Sequence, residues 1–470
     1  MDNNKIFKKT NSLILYELNE VPIRLIKKYV ELKPKSAFAR LLKMGKSIDT
    51  ITYDKGELHP WTTWPTLHRG VNNDKHHIQF INQPLEESKK YPPLWDIIQD
   101  NGYKIGVFGS LQSYPPQIKE NVLFYLPDTF SPDSKAYPNN LKTFQEFNLK
   151  VCSENKAISS NLNKDLYFKF IDLLIKRVLS IKSIYKVLSH ILKEKLNPKY
   201  KTRRSLIQPI LGFDLFYSSL IKFNPEFTTF FTNHVAGIIH RYWRDLFPED
   251  FPENNLHIKD NFKKESVIKA MDIADKQINK LMKYCDKHSY NLWVASSMGQ
   301  EKRKEYSSSF DIQIFDMKLF LESLNLNPDN YKEKPAMQPD ICIQCNKNND
   351  LKKLLKAINT IRDNRNNQIL TKRYESKDKV VNLSIKITED LLKEKIIKIN
   401  NQIKTPKNVG IKFFSRDPGT AYHTPQGILI MYGPEASQFS MQEDLLDTTK
   451  IAPMILKIFG IKIPEYMKKI

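Results

Sequence analysis

Four short stretches of this chain carry side chains able to hold a cation or attack an ester. Glu17-Leu18-Asn19-Glu20 follows an apolar run and offers two carboxylates around a neutral amide oxygen. Asn19 and Glu20 would serve equally well as the cap and first turn of a helix. Thr62 and Thr63 stand just after Pro60, in a segment closing on His68-Arg69-Gly70. A hydroxyl near a helix start is chemically apt, because free N–H groups and the helix dipole favour an alkoxide and an incoming phosphate. Asn233-His234 and His240 follow another apolar run, and His423 precedes a further one. Imidazole nitrogens and carboxylate oxygens are the donors of open zinc sites. Arg69 and Lys302 supply cations that could meet an anionic substrate.

Such groups need a scaffold that brings distant segments together. Apolar runs at Ser12 to Leu18, Tyr103 to Phe108, Phe227 to Phe231, Asn291 to Ala295 and Ile428 to Met431 alternate with helical patterns. One of those patterns carries Val267, Ile268, Met271, Ala274, Ile278, Leu281 and Met282 at helical spacing. This alternation predicts an α/β fold, a mostly parallel sheet with helices on both faces. Ligands of such sheets sit beyond the carboxyl ends of the strands. Two stretches interrupt the pattern. Residues 151–225 read as a basic helical cap, in which Phe170, Leu174, Val178, Ile181, Tyr185, Leu188 and Leu192 form an apolar stripe. Residues 326–408 read as a small α+β insertion. The core is then expected in three parts, 1–150, 226–325 and 409–470.

The segment Tyr422-His423-Thr424-Pro425-Gln426-Gly427, its apolar run, Gly433-Pro434 and the helix near Pro453 resemble the end of the alkaline phosphatase superfamily core. The chain looks like a divergent relative of the type I phosphodiesterase and nucleotide pyrophosphatase branch. Glu57 to Gly70, followed by His76-His77-Ile78, is similar to the nucleophile segment of that superfamily. Thr232 to His240 is similar to its Asp…Gly-His segment. The resemblance implies a C-terminal metal ligand at His423, with His240 beside it and Asn233 or His234 in place of the aspartate. It also implies a donor after the first strand, drawn from Glu17, Glu20 and Asn19, and an attacking hydroxyl at Thr63, with Thr62 the alternative. His68, Arg69 and Lys302 would receive the substrate.

The departures are as informative. Counting back from Gly70 by the usual interval lands on Pro60, and Arg69 replaces a threonine. Ser296-Ser297-Met298-Gly299 stands where the superfamily has Ser-Asp-His-Gly, so both ligands of a second metal are missing. A thioether is too soft to replace them beside oxygen donors. One divalent cation is therefore expected rather than two, with zinc favoured by the imidazoles. The implied activity is metal-assisted hydrolysis or transfer at a phosphoester or phosphodiester, in surface polysaccharide or nucleotide-sugar metabolism. A non-catalytic member binding an anionic glycan, nucleotide or partner is the alternative, and peripheral membrane attachment through the basic helical segment is another.

Composition narrows the partners. The 470 residues carry a net charge of +22, which favours an anionic small molecule or glycan. Lysines spread along the whole chain, without an arginine-rich or aromatic RNA-binding signature, so no nucleic acid is expected. Fourteen glycines and no glycine-rich loop argue against a P-loop or dinucleotide site. Four cysteines make no disulfide framework, and Cys342-Ile343-Gln344-Cys345 reads as strand packing. Neither a leader pattern nor a bilayer-length apolar run is apparent, so a cytoplasmic location is expected, with membrane association through the basic stripe as an addition. Composition fixes no oligomeric state.

Overall fold

The computed structural model describes residues 12–81, 83, 85–153, 179–252, 260–303, 310–334, 336, 340–376, 378–415, 419–439 and 444–470. Contacts divide the chain into one unit of residues 1–79, 87–303 and 420–470, and another of residues 80–86 and 304–419. In the first unit the chain forms β1 (Leu13–Leu18), β2 (Lys46–Ile51), β3 (Ile105–Phe108), β4 (Val122–Leu126), β5 (Phe227–Thr232), β6 (Asn291–Ser296) and β7 (Gly299–Lys302). The second unit holds β8 (Phe310–Ile314), β9 (Tyr331–Lys334), β10 (Ile341–Cys345), β11 (Ile361–Arg362), β12 (Leu370–Glu375), β13 (Val380–Ile385), β14 (Ile397–Ile399), β15 (Gln402–Lys404) and β16 (Ile411–Ser415). The chain then returns to the first unit with β17 (Ala421–Thr424), β18 (Gln426–Tyr432) and β19 (Leu445–Asp447).

Eight strands form the central sheet in the order β19-β2-β18-β6-β1-β5-β3-β4. All are parallel to one another except β18, which runs antiparallel to both neighbours. The α/β class expected from the sequence is the one observed. Burial on both faces explains why β1 and β6 are apolar almost throughout. Alternation along β1 sends Ile14, Tyr16 and Leu18 into a core with Val267, Met271, Ala274, Ile278 and Leu281 of the helix Asn261–His288. Leu13 and Leu15 face the other way, into a core with Trp64, Leu67 and Trp95. Glu17 shares their parity and so lies on that second face.

Reversal of β18 decides where the chemistry sits. An antiparallel strand brings its beginning, not its end, to the rim where the parallel strands finish. Ile428 pairs with Ser296, and the preceding β17 forms a hairpin-like pair with β7 in which His423 faces Gln300. Two glycines permit that crossing. A Cβ on Gly427 would lie 2.1 Å from the Ser296 carbonyl oxygen, and one on Gly299 would lie 2.4 Å from that of Gln426.

The second unit is wider than the sequence suggested, because β8 pairs antiparallel with β16 across the expected boundaries of 326 and 408. Its own core gathers Phe320, Ile343, Leu354, Ile361, Leu383 and Ile397. Cys342 and Cys345 are buried, free thiols on β10. Within residues 151–225, the helix Gln208–Phe223 places Leu211, Phe213, Phe216 and Leu220 in the first unit's core rather than in a cap. Phe170, Leu174 and Val178 lie outside the described residues. No helix among the described residues is long and apolar enough to cross a membrane.

Candidate metal centre

Where β1 ends, Asn19 donates its backbone N–H to the Thr232 carbonyl, 3.1 Å away, tying the rim of β1 to that of β5. Glu20 follows with φ 58°, a left-handed conformation rare outside glycine and asparagine. That turn brings its buried carboxylate back over the rim. Glu20 Oε2 lies 2.8 Å from His240 Nε2 and 3.3 Å from His423 Nε2. Asn19 Nδ2 donates to Oε1 at 2.9 Å, and Gln300 Nε2 donates to Oε2. The three ligand-type atoms of Glu20, His240 and His423 all fall within 4.8 Å of one another.

The far side of each imidazole fixes its tautomer. His240 Nδ1 is 3.2 Å from the Ala421 carbonyl oxygen, and His423 Nδ1 is 2.6 Å from that of Leu58. A carbonyl only accepts, so both Nδ1 atoms carry protons. Each Nε2 then holds either a lone pair or a second proton. Two lone pairs aimed at one carboxylate oxygen would repel it, so the arrangement requires positive charge at its centre, as protons or as a shared cation. Backbone carbonyls holding the distal nitrogens are also the usual support of metal-bound histidines. Ligand atoms placed tetrahedrally about 2.1 Å from zinc would stand about 3.4 Å apart, against 2.8 and 3.3 Å between the Glu20 oxygen and the two rings.

Electrostatics agree. Burial alone would lift the Glu20 carboxyl, but the His423 and His240 rings outweigh it and hold the group well below the usual carboxylate range. Burial would likewise depress His423, yet Glu20 and the Leu58 hydrogen bond raise it above the ordinary imidazole value. Two imidazoles and one carboxylate suit zinc and neighbouring borderline cations at a site with open positions. His240 is the accessible member, its side chain about 30% exposed.

The remaining expected site residues divide by what occupies their polar atoms. His234 is buried, with Nδ1 on Thr232 Oγ1 at 2.7 Å and Nε2 on the Ala270 carbonyl at 3.0 Å. Both nitrogens are engaged, and burial depresses its pKa to about 4. It therefore stands apart from the cluster, contrary to expectation. Asn19 Oδ1 accepts from Trp64 Nε1 at 2.7 Å, and its amide nitrogen also reaches Asn233 Oδ1 at 2.7 Å. These two asparagines organise the rim instead of offering oxygens to it.

Glu17 and His68 pair with each other at 2.8 Å in the sealed core. Arg69 is buried and donates to the carbonyls of Ser88 and Tyr91, an anchor for its helix rather than a substrate contact. Lys302 Nζ donates to the Asp250 carbonyl at 3.2 Å. Thr62 Oγ1 contacts the Gln79 carbonyl at 3.5 Å. Thr63 Oγ1 lies 2.8 Å from Ser297 Oγ, and both side chains are fully buried.

Sequence reasoning missed two residues. Gln300 grips Glu20, and its only sequence signal is a polar residue directly after Gly299 on a rim strand. His59 caps the helix Pro60–Arg69, stacks on Trp61 at 4.3 Å and meets His423 edge-to-face at 5.9 Å. Its Nδ1 is buried with no hydrogen-bond partner among the described residues.

Comparison with known proteins returns structures alone. No family model matches the chain, and no curated protein sequence matches it. Murine ectonucleotide pyrophosphatase/phosphodiesterase 5 is similar over 97% of both chains, at 11% identity and TM-score 0.39. Phosphonoacetate hydrolase from Sinorhizobium meliloti 1021, in complex with phosphonoformate, is similar over 96% of both chains, at 10% identity and TM-score 0.42. Alkaline phosphatase from the Antarctic bacterium TAB5 is similar over 97% of this chain and all of its own, at 12% identity and TM-score 0.39. At that level of similarity the chemistry of the site rests on its own side chains.

Proposed function

We propose that this chain is a one-cation hydrolase or transferase of phosphoester bonds, centred on Glu20, His240 and His423. One observation carries the proposal: two imidazoles, each locked by a backbone carbonyl, aim Nε2 at one oxygen of a buried carboxylate. A divalent cation bound there, with zinc favoured by the donor set, would polarise a phosphoryl oxygen. Asn19 and Gln300 hold the Glu20 carboxylate in place. His59 meets the His423 ring edge-to-face at 5.9 Å, and its buried Nδ1 has no hydrogen-bond partner among the described residues. The net charge of +22 draws an anionic substrate to the surface.

Thr63 is the candidate attacking hydroxyl, near the start of its helix. Among the described residues its hydroxyl bonds to another hydroxyl, Ser297, which is no base, and both are sealed from solvent. Attack by Thr63 thus requires the wall around it to open. The same burial favours a second reading, in which the centre binds an anionic glycan or nucleotide through the cation without turnover.

Hydrolysis of an aryl phosphodiester and an aryl phosphomonoester by zinc- and manganese-loaded protein separates the two. Turnover abolished by His423→Ala supports the enzyme, and its loss in Thr63→Ala as well assigns the nucleophile. Bound cation and tight phosphate binding without turnover give the second reading. Turnover that persists in His423→Ala removes the centre from the chemistry.

A further inference from the structure

The helix Ile181–Leu196 packs Ile184 and Val187 on the core, yet carries a second, larger apolar stripe turned away from it. Ile181, Tyr185, Leu188, Leu192 and Leu196 are 85, 72, 50, 60 and 86% exposed. At 3.6 residues per turn they fall within an arc of about 80°. The opposite side is the one the fold uses, where Ile184 and Val187 pack on the core beside polar groups. Ser183 is buried there, and Glu194 bonds His190 at 2.9 Å and Arg204 at 2.6 Å. Folding therefore anchors this helix by Ile184 and Val187 together with hydrogen bonds and ion pairs, and turns its larger apolar stripe outward.

Charge along the stripe selects what could cover it. Lys182, Lys186, Lys193 and Lys195 are exposed, while the helix's one acid, Glu194, is turned inward on Arg204. An apolar centre with lysine margins and no outward carboxylate is the pattern of a helix lying in the plane of a membrane interface. Anionic lipid headgroups supply about 1 kcal/mol per nearby lysine or arginine, beyond the burial of the stripe. A second copy docked symmetrically on the same face would set lysines against lysines.

We propose that this face of the protein docks on an anionic lipid surface, with the five apolar side chains at the headgroup boundary and the lysines on phosphates. The proposal is independent of the metal centre. The test is co-sedimentation of the full-length protein with vesicles of phosphatidylcholine alone or with 30% phosphatidylglycerol, at low and high salt. Leu188→Glu/Leu192→Glu removes the stripe, and Lys182→Gln/Lys186→Gln/Lys193→Gln removes the margin. All five positions are exposed, so folding should be unchanged by circular dichroism.

The expected result is binding to anionic vesicles at least tenfold tighter than to neutral ones, weakened by salt and reduced at least tenfold in either variant. Equal binding to both lipids, or none to either, overturns the proposal. So does a dimer in light scattering that the double-leucine variant converts to a monomer, since a second copy would then own the face.

Discussion

Two glutamate–histidine groups sit three residues apart at the end of one strand, and only one of them can do chemistry. Glu17 and His68 are 0 and 1% exposed, stacked among Trp64 and Trp95, and their shared bond closes the pair on itself. Glu17 Oε2 and His68 Nδ1 find no further partner among the described residues. Glu20, one turn further out, has every other contact of its rings and carboxylate supplied by Asn19, Gln300, Ala421 and Leu58. What remains unsatisfied there is the centre itself. Residue type does not distinguish a structural hydrogen-bonded pair from a ligand set; the partners on the far side of each ring do.

The comparison can be broken at several points. His240→Ala and His423→Ala should each lower zinc affinity by well over 100-fold, since a ligand counts for more than the supporting contacts, worth about 10–100-fold. Isothermal titration measures this, and an affinity unchanged in either variant would remove that ring from the centre. Glu17→Leu or His68→Leu strands one buried partner and should cost roughly 3–5 kcal/mol in urea unfolding, with zinc stoichiometry intact. A loss of zinc without a loss of stability would reverse the roles of the two pairs.

Gln300→Leu should weaken zinc by about 10–100-fold while leaving the ligands in place. An effect smaller than twofold would make Gln300 mere packing.

Smallest is the pH response of cation-free protein. Glu20 is depressed, so its contribution is present above the unfolded carboxylate value of about 4.3 and is lost as pH falls through the folded value. His423 is raised, so its contribution is present below about pH 6.5 and is lost as pH rises through its folded value. The melting temperature of EDTA-treated wild type should therefore exceed that of His423→Ala most near pH 5–6, and the gap should close as pH rises through the raised folded-state value of His423. A gap that widens with pH contradicts the assigned charges. Loaded protein should do the opposite, binding zinc more tightly as protons leave.

Much of the scaffold could be read from the chain. Apolar runs buried on both faces gave the strands, and their alternation with helices gave the α/β class. Reversal of β18 was not legible, because an antiparallel strand buried between two others has the same apolar pattern as a parallel one. His240 and His423 stood out through segments similar to a known superfamily. His234 was grouped with them because it also follows a strand, yet a rim position does not say which way a ring turns. Thr232 and the Ala270 carbonyl turn it inward. Glu17 and Glu20 looked equivalent in sequence, and only the left-handed turn at Glu20 moves one of them to the rim. Arg69 carries a cation that the sequence offers to a substrate, but it is buried and donates hydrogen bonds to backbone carbonyls that no local pattern announces.

The central claim is that Glu20, His240 and His423 share one cation. An anomalous-difference map from crystals grown with equimolar zinc tests it directly. The account predicts a single strong peak about 2.0–2.2 Å from His240 Nε2, His423 Nε2 and a Glu20 carboxylate oxygen. A zinc peak elsewhere with none between these three side chains would contradict it.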